Sequence, residues 1–295
     1  MFRTFADMFK NKDIRNRIFF TLAMLFVFRF GSAITVPGVD VTELTKGIQD
    51  NSLFAMINML GGGGLEQLSI FAMGVGPYIT ASIIIQLLSM DVIPALTELA
   101  KGGATGKKQI DRYTRYLAVV LSFFQASTLV YSFSTQYTTL LVNGSGWASI
   151  LYVATLLTAG SMFILWIGDR ISMKGIGNGV SMIIAAGIIA RLPYQFTTAW
   201  QTLVDPSNSS ATFNGILTYG LYIVSYLLII VFVVFMQTAE RKIPIQYTSS
   251  TVTTRKKDMT YLPLKINSAS VIPVIFASAI LAAPLQICKM VWPAA

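Results

Sequence analysis

The chain has no histidine and one cysteine, Cys288. Lack of histidine removes the commonest general base and the commonest metal ligand. A zinc centre, a Ser-His-Asp triad or a haem would need unusual substitutes. A lone cysteine cannot close an intramolecular disulfide. Charge is also scarce. Charged residues make up 12% of the 295 positions, against the ~25% usual for soluble domains. Only 13 acids are present, and most fall in loops. An intramembrane enzyme would need a carboxylate pair or an activated nucleophile, and neither pattern is visible.

Apolar residues fill the gap, at 54% of the chain. They gather in seven stretches, 18–36, 70–90, 115–134, 149–168, 176–192, 215–237 and 270–290. Each is near the ~20 residues a helix needs to cross the hydrocarbon core. Eighteen of the 22 Lys and Arg residues lie in 1–17, 91–116, 169–175 and 237–267. The alternate connections 37–68, 135–148 and 193–214 hold only Lys46. Cytoplasmic loops carry the positive excess, so the amino terminus is expected inside and the carboxyl end outside after the seventh crossing. The net charge of +9 is explained by this rule, although the larger basic loops could also dock an acidic or RNA-rich partner.

Phe2, Phe5 and Phe9 recur at helical spacing among basic residues. The pattern predicts an amphipathic helix on the inner membrane face, with a frayed terminus as the alternative. No cleavable signal peptide is expected, because 1–17 is charged rather than apolar. Arg29 falls in the outer half of the first stretch, where it can snorkel or find a partner inside the bundle. Residues 53–68 comprise a short apolar piece, four glycines and a second apolar piece. They read as re-entrant, or as an amphipathic helix on the outer surface. Pro77 is expected to break the second crossing into a short and a longer helical piece. After it, Thr80, Ala81, Ser82 and Gln86 would face protein or water.

The glycines around Lys101, Lys107 and Lys108 mark a flexible loop tip, and they fit no phosphate loop. Gly175, Gly177 and Gly179 open the fifth crossing and suit close backbone packing better than an anion cradle. In 237–267, the alternation of Ile243, Ile245 and Tyr247, with Thr251 and Thr253, predicts a β-hairpin tipped by Arg255, Lys256 and Lys257. A disordered basic loop is the alternative.

Two long segments resemble the signatures of the SecY family of protein-conducting channels. They are Ser69–Leu88 (SIFAMGVGPYITASIIIQLL) and Trp166–Ile184 (WIGDRISMKGIGNGVSMII). Shorter matches run through Val27–Gly31, Glu240–Tyr247, Leu262–Asn267 and Val271–Ser278. The resemblance extends over about residues 2–288. It implies an all-α polytopic membrane protein in which residues 18–192 form the first five-helix half. An external hinge loop at 193–214 follows, then two helices of the second half within 215–290. Helices eight to ten of the family have no counterpart in this sequence.

The resemblance also implies site residues. Val75, Ile79, Val180, Ile184 and Ile275 match the apolar pore ring. Leu53, Phe54, Met56, Ile57, Leu60, Gly61, Gly62, Gly63, Gly64 and Leu65 match the plug. Thr80, Gln86, Asn178 and Ser181 match polar positions of the lateral gate. Partner docking is expected at Lys101, Lys107, Lys108, Arg241, Lys242, Arg255, Lys256 and Lys257. The expected partners are SecE, SecG, the motor SecA or a ribosome, secretory and membrane polypeptides as substrates, and the lipid bilayer of the bacterial plasma membrane. No cofactor, metal or nucleotide is implied. An inverted-repeat secondary transporter is the other reading, but only Arg29 approaches the midplane charge it would need.

Overall fold

The computed structural model describes residues 11–40, 64–65, 67–90, 92–136, 141, 146–204, 209–245, 260–265 and 277. The described elements are α1 (Lys12–Ser32), α2 (Gly76–Leu88), α3 (Pro94–Lys101), α4 (Gly103–Gln136), α5 (Trp147–Lys174), α6 (Gly179–Leu203), α7 (Ser209–Thr238), β1 (Glu240–Ile245) and β2 (Thr260–Lys265). Among the described residues four helices, α4 to α7, are long and apolar enough to cross a membrane, and α2 is a shorter apolar helix. Apart from Ala277, the seventh stretch, 270–290, lies outside the described residues, as does the segment 1–10. Lys12–Arg17, expected in a separate amphipathic piece, belongs to α1, which starts at the Asn11 cap.

The chain forms two compact units, 1–192 with 278–295, and 193–277. In the first, α5 is the spine. Ile150, Val153, Ala154, Leu157, Ser161, Ile164 and Ile171 are buried along one stripe of it. Their spacing of three and four residues keeps them on one face. The N-terminal end of this stripe packs with Leu129, Val130 and Phe133 of α4 and with Val36, Leu65, Leu68 and Ala72. The C-terminal end packs with Phe28 of α1, Phe71 and Val75.

Pro77 does not kink a helix. It stands in the first turn of α2, and residues 70–75 before it are turns. Proline suits that position because the first N–H groups of a helix have no internal acceptor. The glycine-rich stretch around Lys101 is a tight corner instead of a flexible tip. Only Gly102 separates α3 from α4, and a Cβ on Gly106 would strike the Leu99 carbonyl.

In the second unit the expected external loop 193–214 is mostly helical. α6 continues through Pro193 to Leu203, and α7 begins at Ser209. Edge-on aromatic pairs join these helices, Trp200 to Tyr219 at 5.0 Å and Phe196 to Tyr226 at 5.5 Å. Such pairs add about 0.5–1.5 kcal/mol each beyond area burial. Their sum is comparable with the ~3 kcal/mol that one interior proline costs a helix.

Two antiparallel strands form, one on each side of the expected tip. β1 pairs antiparallel with β2, Lys242 opposite Pro263 and Pro244 opposite Tyr261. These two pairs are of the same kind, being two residues apart. A hydrogen-bonded pair needs an N–H from each residue, so both prolines occupy the non-hydrogen-bonded kind. Their missing donors face outward, one on each edge, and discourage further strand addition. Thr251, Thr253, Tyr247 and the tip Arg255–Lys257 lie outside the described residues.

Candidate functional site

The segment before α2 is unwound. Its backbone is sustained by neighbours, as irregular backbone at membrane depth must be. Ile70 donates its N–H to the Ile34 carbonyl at 3.0 Å, and Val36 donates to Leu68 at 3.0 Å. The Ser161 hydroxyl of α5 donates to the Gly74 carbonyl at 3.1 Å. Beside it, a Cβ on Gly160 would collide with the Ile70 carbonyl. Phe71 is stacked between Phe28 at 6.2 Å and Phe163 at 5.9 Å.

This arrangement delivers Val75 and Ile79 into an aliphatic cluster. Val75 is buried among Phe28, Phe71, Ile164, Ile167, Ile171 and Ile183. Ile79, Val180 and Ile184 pack against the same cluster and stay half-buried. Four of the five positions expected in the ring therefore share one apolar cluster contributed by α2 and α6. Ile275 lies outside the described residues.

The start of α6 is held by side-chain oxygens. The Asn178 Oδ1 accepts from the Val180 N–H at 3.0 Å and the Ser181 N–H at 3.4 Å. The Ser172 hydroxyl accepts from the Gly179 N–H at 2.8 Å. The Thr21 hydroxyl of α1 accepts from the Ile176 N–H at 3.1 Å. A Cβ on Gly175 would crowd the Thr21 hydroxyl, and a Cβ on Gly179 would meet the Gly168 carbonyl; Gly177 has open space around it but φ +71. Close packing thus accounts for Gly175 and Gly179, and backbone conformation for Gly177.

The other expected site residues are placed as follows. Of the plug positions, only Gly64 and Leu65 are described. Leu65 is fully buried in the core cluster at the N-terminal end of α5, and the Ser69 N–H donates to the Gly64 carbonyl at 2.8 Å. Leu53, Phe54, Met56, Ile57, Leu60, Gly61, Gly62 and Gly63 lie outside the described residues. Thr80 donates to the Gly76 carbonyl of its own helix at 3.1 Å, and Gln86 is exposed. Asn178 and Ser181 are also exposed, and the Asn178 oxygen is committed to capping. Lys101 ends α3, Lys107 and Lys108 lie near the start of α4, and Arg241 and Lys242 lie on β1; all five are exposed. Gly160, Ser161, Thr21 and Ser172 were not expected at a site. Nothing in their local pattern marks them, because their partners are distant in sequence or across a turn.

Helices of membrane length, an unwound segment buried among them and an aliphatic cluster beside it define a multi-pass membrane protein. The SecY family profile matches residues 69–295. The protein translocase subunit SecY of Bacillus subtilis strain 168 is 44% identical over 289 residues, covering 97% of this chain and 67% of the relative. That of Staphylococcus carnosus strain TM300 is 42% identical over 285 residues, covering 96% and 66%. The chain belongs to the SecY family. It spans about two thirds of the length of these relatives. A solved protein-conducting channel shares the fold at TM-score 0.63 and 18% identity, covering 94% of this chain and 59% of that one. Sec61 from a canine ribosome-channel complex does so at TM-score 0.61 and 18% identity, with the same coverage.

Proposed function

We propose that the chain is the central subunit of a Sec-type channel, moving unfolded polypeptides across the bacterial plasma membrane and releasing apolar helices sideways into it. The observation that carries this reading is the convergence of Val75, Ile79, Val180 and Ile184 in one aliphatic cluster. With Ile275 they would form a narrow collar. Such a collar excludes water and ions by dewetting, and branched aliphatics can yield around a passing chain. Seven crossings, with the amino terminus in the cytoplasm, follow from the charge pattern.

The pore is passive in this reading. SecA or a translating ribosome would supply the drive by docking on the basic corner at Lys101, Lys107 and Lys108 and on the ribbon at Arg241, Lys242, Arg255, Lys256 and Lys257. SecE and SecG would complete the assembly, and residues 53–68 would plug its outer side. Leu, Ile, Phe and Val each gain about 0.3–0.6 kcal/mol at the membrane centre. A signal sequence with ten of them thus gains several kcal/mol, enough to shift a two-state gate by orders of magnitude. Ion flux through vesicles carrying the channel tests the collar. Ile79→Asn or Ile184→Asn should wet it and raise the leak; an unchanged leak in both would remove the collar from the mechanism.

A further inference from the structure

Among the described residues, one side chain ties α1 to the turn from which α6 begins. Thr21 is buried, 4% exposed. Its hydroxyl donates to the Arg17 carbonyl at 2.8 Å, the ordinary back-bond of a helical threonine. The same oxygen accepts from the Ile176 N–H at 3.1 Å, 155 residues away. The fit is close: a Cβ on Gly175 would stand 2.5 Å from that oxygen. On α5, the turn is held by the Gly175 N–H to Ile171 at 2.7 Å and by Ser172.

The rest of this face of α1 continues toward the collar positions. Met24, Leu25 and Phe28 follow Thr21 at three, four and seven residues, so all share one side of the helix. They belong to the cluster that holds Val75, Ile79, Val180 and Ile184. α1 therefore touches the collar positions by apolar packing, which is tolerant of sliding. The directional link to the start of α6 is the Thr21 bond.

We infer that Thr21 is a positioning residue of the channel: by accepting the Ile176 N–H it sets the level at which α6 starts, and hence the level of Val180 and Ile184 within the collar. The inference rests on the collar reading. Removing the acceptor leaves a part-buried backbone N–H without its protein partner and releases the turn from α1. α6 gains alternative heights, and a narrow apolar constriction loses its seal when its members fall out of level.

Two substitutions separate the bond from the packing. Thr21→Val keeps the branched shape and removes the acceptor. Thr21→Ser keeps the acceptor and removes the methyl group. Each is assembled into vesicles, and ion flux per channel is measured beside wild type and Ile184→Asn. A second readout needs no transport: disulfide yield between Val75→Cys and Val180→Cys in a Cys288→Ser background. Thr21→Val should raise the flux roughly tenfold, the factor by which losing one such hydrogen bond shifts a two-state equilibrium. It should also lower the disulfide yield, and Thr21→Ser should match wild type in both. Equal leaks from Thr21→Val and Thr21→Ser would overturn the inference, since the methyl group rather than the acceptor would then matter. So would a wild-type flux and disulfide yield in Thr21→Val while Ile184→Asn leaks. A silent Ile184→Asn would instead overturn the collar itself.

Discussion

The hydroxyl of Ser161 donates to the carbonyl of Gly74, 87 residues earlier in the chain. Gly74 has φ +56; its N–H is met within the unwound segment by the Phe71 carbonyl at 2.9 Å, and its carbonyl is met by Ser161. The bond explains why a serine interrupts the apolar stripe of α5, while Gly160 beside it leaves room for the Ile70 carbonyl.

Ser161→Ala should lower stability modestly. Interhelical hydrogen bonds in membrane proteins average about 0.6 kcal/mol, with a maximum near 1.7. Gly160→Ala should cost more, about 1–3 kcal/mol, because overpacking against a backbone carbonyl forces a shift. Equilibrium unfolding in mixed detergent would rank the two. A larger loss in Ser161→Ala would contradict the geometry.

Asn178→Ala should destabilise the start of α6 by about 0.5–2 kcal/mol, the usual cost of losing an N-cap oxygen. Asn178→Asp should retain most of the stability, since a carboxylate oxygen can accept from the Val180 and Ser181 N–H groups. Amide hydrogen exchange at residues 179–182 reports the effect. A residue acting only as a polar member of the lateral gate would leave that exchange unchanged.

Arg115 of α4 pairs with Asp169 of α5 at 3.0 Å, the two side chains being 53% and 31% exposed. Exposed pairs contribute about 0.2–1 kcal/mol and weaken with salt. Arg115→Ala should therefore cost no more than about 1 kcal/mol in unfolding experiments, and the difference from wild type should shrink at high salt. A larger, salt-independent loss would mean that the arginine acts through packing.

Reversing Arg241, Lys242, Arg255, Lys256 and Lys257 to glutamate should weaken binding of ribosomes or the motor without unfolding the ribbon, whose prolines and register do not depend on those charges. Co-sedimentation at low and high salt measures this. Equal binding by the reversed protein would remove the ribbon from the docking surface.

Local chemistry wrote much of this protein. The alternation of apolar stretches with basic connections follows from bilayer thickness and from the cost of moving charge across it, so it could be read without a structure. The i, i+4 spacing of Val75 with Ile79 and of Val180 with Ile184 put each pair on one helix face for the same local reason. Other features depended on partners far along the chain. Pro77 reads equally well as a kink or a helix start, and the capture of the preceding turns by Ser161 and Gly160 selects the start. β2 was hidden by its proline, whose fit depends on register with β1. The stretch 193–214 looked like a connection because it falls between two apolar stretches, but α6 runs on through Pro193 and its aromatic side chains pack on those of α7. Whether Val75, Ile79, Val180 and Ile184 face lipid or one another was also undecided by spacing, since a period gives a direction around one helix and never its neighbour. Packing α2 and α6 onto α5 and α1 brought them into a common cluster.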